Sequence, residues 1–63
     1  MIKELRQKAG LTQKELSEKT NIDCATISLY EKKKRLPTMT NIKVIAIALK
    51  TPAVDLVKYY YGI

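Results

Sequence analysis

Histidine is absent from these 63 residues, and cysteine occurs once, at Cys24. One thiol forms no internal disulfide, and no His/Cys cluster exists to hold a structural metal. The same shortage argues against catalysis. No imidazole is present to activate Cys24 or a hydroxyl, and the four tyrosines and six carboxylates show no paired acid–base arrangement. No enzyme activity, cofactor, metal or small-molecule ligand is therefore expected. Long apolar runs are missing too. Nothing approaches the roughly 20 residues needed to span a bilayer, and no signal-peptide pattern opens the chain. A membrane partner is not expected, and a reduced, cytoplasmic setting is. Acidic residues are scarce beside basic ones, six against twelve, for a net charge of +6. Such a balance, without catalytic groups, points to a polyanion partner; taken alone it is also the mark of a solubilising surface. There is no internal repeat, low-complexity stretch or linker, so a single domain over residues 1–63 is expected. A chain this short buries only about 60% of its unfolded surface, so its stability should be modest. The core must supply it, with self-association as one way to add to it.

What is present is helical patterning with well-marked ends. Ile2, Leu5, Arg6 and Ala9 share one face at helical spacing, and Gly10 is placed to stop that helix in the left-handed conformation. Thr12 and Glu15 form the reciprocal pair of a capping box, with Leu11 and Leu16 spaced as a hydrophobic staple. The second helix should run from Gln13 to Lys19 and bury Leu16 and Ser17. Asp23 is a strong cap for a third, over Cys24 to Glu31, with Ile22 and Ile27 as its staple and Ile27 and part of Tyr30 buried. Between these two, Asn21 suits the left-handed turn. Lys32 to Leu36 read as a loop, and Pro37 disfavours helix before it. Thr38 caps a fourth helix whose Ile42, Ile45, Ala46 and Leu49 face the core. Thr51-Pro52 opens a fifth, with Val54, Leu56 and Val57 as its apolar residues. The expected fold is all-α: a compact five-helix bundle containing a helix-turn-helix at residues 12–31.

Two short helices joined by a tight turn, followed by the block Lys32-Lys33-Lys34-Arg35, is an arrangement suited to placing one helix in a DNA groove. These residues resemble the Cro/phage-repressor, or XRE-type, helix-turn-helix family. The resemblance rests on Leu11-Thr12-Gln13, Glu15-Leu16, Ile27-Ser28-x-Tyr30-Glu31, Pro37 after a basic loop, and Ile45-Ala46-x-Ala48-Leu49. It extends from Ile2 to Leu56, and it implies a bundle of four or five helices that binds operator DNA, usually as a dimer. The chain departs from the family at Asn21, Lys33 and Lys50, where glycine is usual. A lysine at positive φ costs about 1 kcal/mol or more, so Lys33 either bears that strain or the loop differs.

The resemblance and helix-end physics together nominate the contact residues. The third helix should enter the major groove with Cys24, Ala25, Ser28 and Leu29 toward base edges. Ser28 donates or accepts, while Ala25 and Leu29 offer only apolar surface, for which thymine methyls are the natural target. Leu29 has the alternative of packing, and Thr26 of either meeting a phosphate or turning inward. Gln13 opens the second helix, where free N–H groups and the dipole suit an anion. The resemblance makes it a phosphate ligand whose side chain also braces the third helix, with Lys14 beside it. Lys32, Lys34 and Arg35, with Thr38 and Asn41 at the start of the fourth helix, should grip the DNA backbone. The resemblance also implies a partly buried salt bridge between Arg6 and Glu31.

Val44, Ile47, Val54, Val57, Tyr60 and Tyr61 form a surplus of apolar surface expected at a dimer contact. The tyrosines have a second option, which is to fold back over the chain's own core. The reading that follows is a sequence-specific transcriptional regulator, a repressor acting by occupancy, that binds palindromic double-stranded DNA as a homodimer. The rival is a protein-interaction module, or a DNA-binding antitoxin whose residues from Val54 to Ile63 neutralise a partner.

Overall fold

The structure, a computed structural model, describes all 63 residues. It has five helices and no strands: α1 (Ile2–Lys8), α2 (Gln13–Thr20), α3 (Cys24–Glu31), α4 (Met39–Leu49) and α5 (Ala53–Tyr61). The starts of α2, α3 and α4 are each closed by a side-chain cap. Thr12 Oγ1 accepts the Glu15 amide at 3.0 Å while Glu15 Oε1 accepts the Thr12 amide at 2.9 Å, which completes the capping box. Asp23 accepts the Thr26 amide and Thr38 accepts the Asn41 amide, closing the first turns of α3 and α4. Pro52 sits one residue outside α5 as its cap, at φ −63 and ψ 132, rather than within its first turn.

The stops are left-handed. Gly10, Asn21, Lys33, Lys50 and Gly62 all have positive φ. After α1, α3 and α4 the same pair of bonds recurs, with the left-handed residue's amide reaching three residues back and the next amide five back. At Lys33 these are Lys33 N–H to Tyr30 O and Lys34 N–H to Leu29 O, both near 3 Å. Lys33 therefore bears the strained conformation; the loop does not avoid it.

One core joins all five helices: Ile2, Leu16, Ile22, Ile27, Tyr30, Ile42, Ile45, Ala46, Leu49, Leu56 and Tyr60. The helices meet as α2 on α3, α2 and α5 on α4, and α1 on α3. Leu5, Leu11 and Val57 pack against this core from its edge.

Three expectations of burial or exposure need correction. Ala9 is exposed; it is the cap that follows the last residue of α1, Lys8. Ser17 is only half-buried, and its hydroxyl donates to Ile22 O at 2.6 Å, tying α2 to the turn. The buried polar residue of α2 is Thr20, whose hydroxyl donates to Leu16 O and accepts the Ile22 amide. Tyr60, expected on a dimer surface, is 7% exposed and belongs to the core. It follows Leu56 by four residues, so the two share one face of α5.

Candidate nucleic-acid interface

The helix-turn-helix is locked by a single carboxylate. Glu31, at the end of α3, accepts from Arg6 Nε at 2.7 Å and from Arg6 Nη2 at 3.3 Å, and from Gln13 Nε2 at 3.0 Å. Arg6 Nη1 reaches on to Leu11 O at 2.8 Å, just before the α2 cap. One acid thus joins α1, α2 and α3, and no buried polar side-chain atom is left unpaired. Burial pushes the Glu31 carboxyl pKa up, but the hydrogen bonds from Arg6 and Gln13 and the Arg6 charge outweigh it. The net position is below the ordinary carboxylate range. The same Glu31 bond holds Arg6 more firmly protonated than a free arginine, against the opposing effect of burial.

Gln13 serves two elements. Its amide nitrogen holds Glu31, and its carbonyl oxygen lies 4.0 Å from the Cys24 thiol at the start of α3. The backbone amides of Gln13 and Lys14 have no acceptor within the chain, since the cap satisfies only Glu15 and Leu16. Along α3, Ala25 is exposed, and Cys24, Thr26, Ser28 and Leu29 are half-buried. Thr26 gives its amide to Asp23.

The start of α4 is capped from within the chain. The Asn41 amide is taken by the Thr38 hydroxyl, and Asn41 Nδ2 donates to Tyr30 Oη at 2.9 Å. Asn41 therefore braces Tyr30 beneath the loop, and the amides left without acceptors are those of Met39 and Thr40. Both belong to the helix start expected to face the DNA backbone, and both follow from Thr38 being the cap.

Lys32, Lys33, Lys34 and Arg35 are all exposed. Of the twelve basic side chains only Arg6 is in an ion pair; the other pair joins the N-terminal ammonium to Glu4 at 2.8 Å. The basic loop's charge is thus not cancelled by any acid. Lys33 alone is turned aside, with its ammonium 4.2 Å from the centre of the Tyr59 ring.

Of the surface candidates, Ile47 is 79% and Val54 54% exposed, while Val44 and Val57 are half-buried. Ile47, Val44 and Ala48 line an open groove flanked by Lys19 and Lys50. Tyr61 keeps part of its ring exposed, but its hydroxyl donates to Pro37 O at 2.6 Å. The fold-back option thus describes Tyr60 fully and the Tyr61 hydroxyl.

No helix is long and apolar enough to cross a membrane. Comparison with curated proteins and with solved structures gave no match. A family model described as helix-turn-helix matches residues 2–56, which takes in all of α1 to α4 and the start of α5. The match covers the caps, the Glu31 junction and the basic loop together. On that ground the chain belongs to the XRE-type helix-turn-helix family and is a DNA-binding regulator of that kind.

Proposed function

We propose that residues 1–63 form one sequence-specific DNA-binding domain that represses transcription by occupying its operator, with α3 in the major groove. The observation that carries this reading is the unpaired charge of Lys32, Lys34 and Arg35 beside a recognition helix whose own acid, Glu31, is neutralised by Arg6. No carboxylate partner has to be displaced before these cations meet phosphate. The free amides of Gln13, Lys14, Met39 and Thr40 supply further donors at helix N-termini. Lys14, Thr38 and the flanking Thr26 complete the backbone set.

Base reading falls to Cys24, Ala25, Ser28 and Leu29. None of these makes the bidentate pairs that arginine makes with guanine or asparagine with adenine. Discrimination therefore rests on thymine methyls against Ala25 and Leu29, on Ser28, and on DNA shape. Two copies on a palindrome place their recognition helices about 34 Å apart. Ile47 and Val54 are the most exposed valine or isoleucine side chains of the surface set available to such a pairing. Burial of Tyr60 takes one residue from the C-terminal surface on which a partner-neutralising reading depends, while Val54, Tyr59, Tyr61 and Ile63 stay exposed. The setting proposed is the cytoplasm, where the DNA lies.

The test is selection of a high-affinity duplex from a random pool, followed by substitution of each base pair and replacement of each thymine by deoxyuracil. Loss of single methyl groups should weaken binding at several positions. Discrimination concentrated at guanines would reject the thymine-methyl mechanism. Footprinting of the upstream DNA at two salt concentrations, with a reporter gene, separates repression from activation.

A further inference from the structure

Three consecutive tyrosines at the end of α5 each hold a different point of the stretch from the last turn of α3 to the cap of α4. Tyr60 Oη donates to Tyr30 O at 2.7 Å, Tyr61 Oη donates to Pro37 O at 2.6 Å, and the Tyr59 ring meets the Lys33 ammonium. Tyr30 lies in the last turn of α3, and Pro37 directly precedes the Thr38 cap of α4. The anchors therefore bracket the basic loop at both ends and touch its middle. Successive residues on a helix point about 100° apart, so three in a row ordinarily face three different surroundings. Here all three reach one segment. The Tyr59 and Tyr60 rings also meet edge-to-face, with centroids 5.0 Å apart. All three tyrosines lie beyond residues 2–56, so the family match does not account for them.

We propose that the Tyr59-Tyr60-Tyr61 run is a clasp that positions the basic loop for phosphate contact, holding its backbone in the bound shape before DNA arrives. This rests on the reading that Lys32, Lys34 and Arg35 contact phosphates. A loop of long cationic side chains loses conformational freedom when it binds, and a loop already held loses less. The tyrosines touch no DNA themselves; they are positioning residues, and their effect is on the affinity of protein that is already folded.

Tyr60→Phe, Tyr61→Phe and the double variant keep every ring and remove only the hydroxyls. Lys34→Ala serves as the control for phosphate contact. Binding of the full chain to a labelled random-sequence duplex is measured by fluorescence anisotropy across a salt series, well below melting, with folding checked by circular dichroism. Each single tyrosine variant should weaken binding about threefold to tenfold, the factor expected when one or two more side chains must be ordered on binding, and the double variant more. The salt slope should stay as in the wild type, since no phosphate contact is lost. Lys34→Ala should instead reduce the slope by about one. In the tyrosine variants the Lys34 amide, bonded to Leu29 O, should exchange faster, while the Leu16 amide of α2 is unchanged. If Lys34→Ala weakens binding but the folded tyrosine variants bind like the wild type, the clasp is wrong and the DNA reading stands. If Lys34→Ala also leaves binding and slope unaltered, the phosphate reading fails and takes the clasp with it.

Discussion

The Arg6 guanidinium grips the Glu31 carboxylate through two nitrogens across 25 residues of chain, at 2.7 and 3.3 Å, with side chains only 10% and 5% exposed. That burial decides how much the pair matters. An exposed ion pair contributes under about 1 kcal/mol, whereas removing one partner of a buried pair costs about 3–5 kcal/mol by leaving a charge uncompensated. Arg6→Ala and Glu31→Ala should each lower the Tm by about 12 °C or more in thermal melts. Arg6→Lys should not restore it, because lysine cannot span both oxygens and Leu11 O together. Melting shifts near zero would show the pair to be unimportant.

The depressed Glu31 pKa makes stability fall in acid. In the unfolded chain this carboxyl titrates near its ordinary value of 4.5; in the folded chain it titrates lower. Its contribution is present in full above the unfolded value and is lost as pH falls through the folded one. Urea unfolding between neutral and strongly acidic pH should show that loss, and Glu31→Gln should flatten it. The exposed Glu4 carboxyl is also lowered, chiefly by its hydrogen bond with the N-terminal ammonium, so Glu4→Gln is the control. A wild-type pH profile in Glu31→Gln would contradict the assignment.

Tyr60 behaves in the opposite sense. Burial, with lesser repulsion from Tyr59, raises its phenol above the ordinary 10. Stability tied to the neutral phenol is therefore complete below the unfolded value and lost as alkali is raised toward the folded one. Ultraviolet titration should show a late-ionising phenol component, and Tyr60→Phe should remove it. The same variant should lose about 1 kcal/mol from the missing bond to Tyr30 O. A titration without that late component, or one that keeps it in Tyr60→Phe, would place Tyr60 outside the core.

The three non-glycine residues at positive φ provide a ranking. A lysine in the left-handed region costs about 1–2 kcal/mol, and glycine relieves that while adding freedom to the unfolded chain. Lys50→Gly should stabilise by about 0.5–1 kcal/mol, seen as a higher urea midpoint. Lys33→Gly should gain less, because it also loses the contact with Tyr59, worth about 0.5–1 kcal/mol at an exposed site. Asn21→Gly should change least, since asparagine tolerates the conformation. A reversed order of Lys50 and Lys33 would deny the Tyr59 contact any energetic role.

Helix ends were legible in the sequence because capping is local chemistry. Thr12 with Glu15, Asp23 and Thr38 satisfy amides within three residues, and each behaves as its sequence suggests. The four core residues of α4 were legible from their spacing, and the Arg6–Glu31 contact through the family likeness. What was not legible has no mark of its own in the local pattern. Tyr60 carries a polar group and stands in a run of three tyrosines, so composition alone does not say which ring turns inward; its spacing from Leu56 held the signal. The bond from Asn41 to the Tyr30 hydroxyl was not legible either, because nothing local in the sequence brings those two side chains together. Thr20 was overlooked because its buried hydroxyl is satisfied by its own helix and turn.

Chemical-shift mapping of the full chain against a selected duplex tests the central claim most directly. The amides of Gln13, Ala25 and Ser28 and those of the basic loop should move strongly, while those of Ile45 and Leu56 in the core stay put. Undisturbed signals at Gln13, Ala25 and Ser28 in a saturated complex would contradict the placement of α3 in the groove.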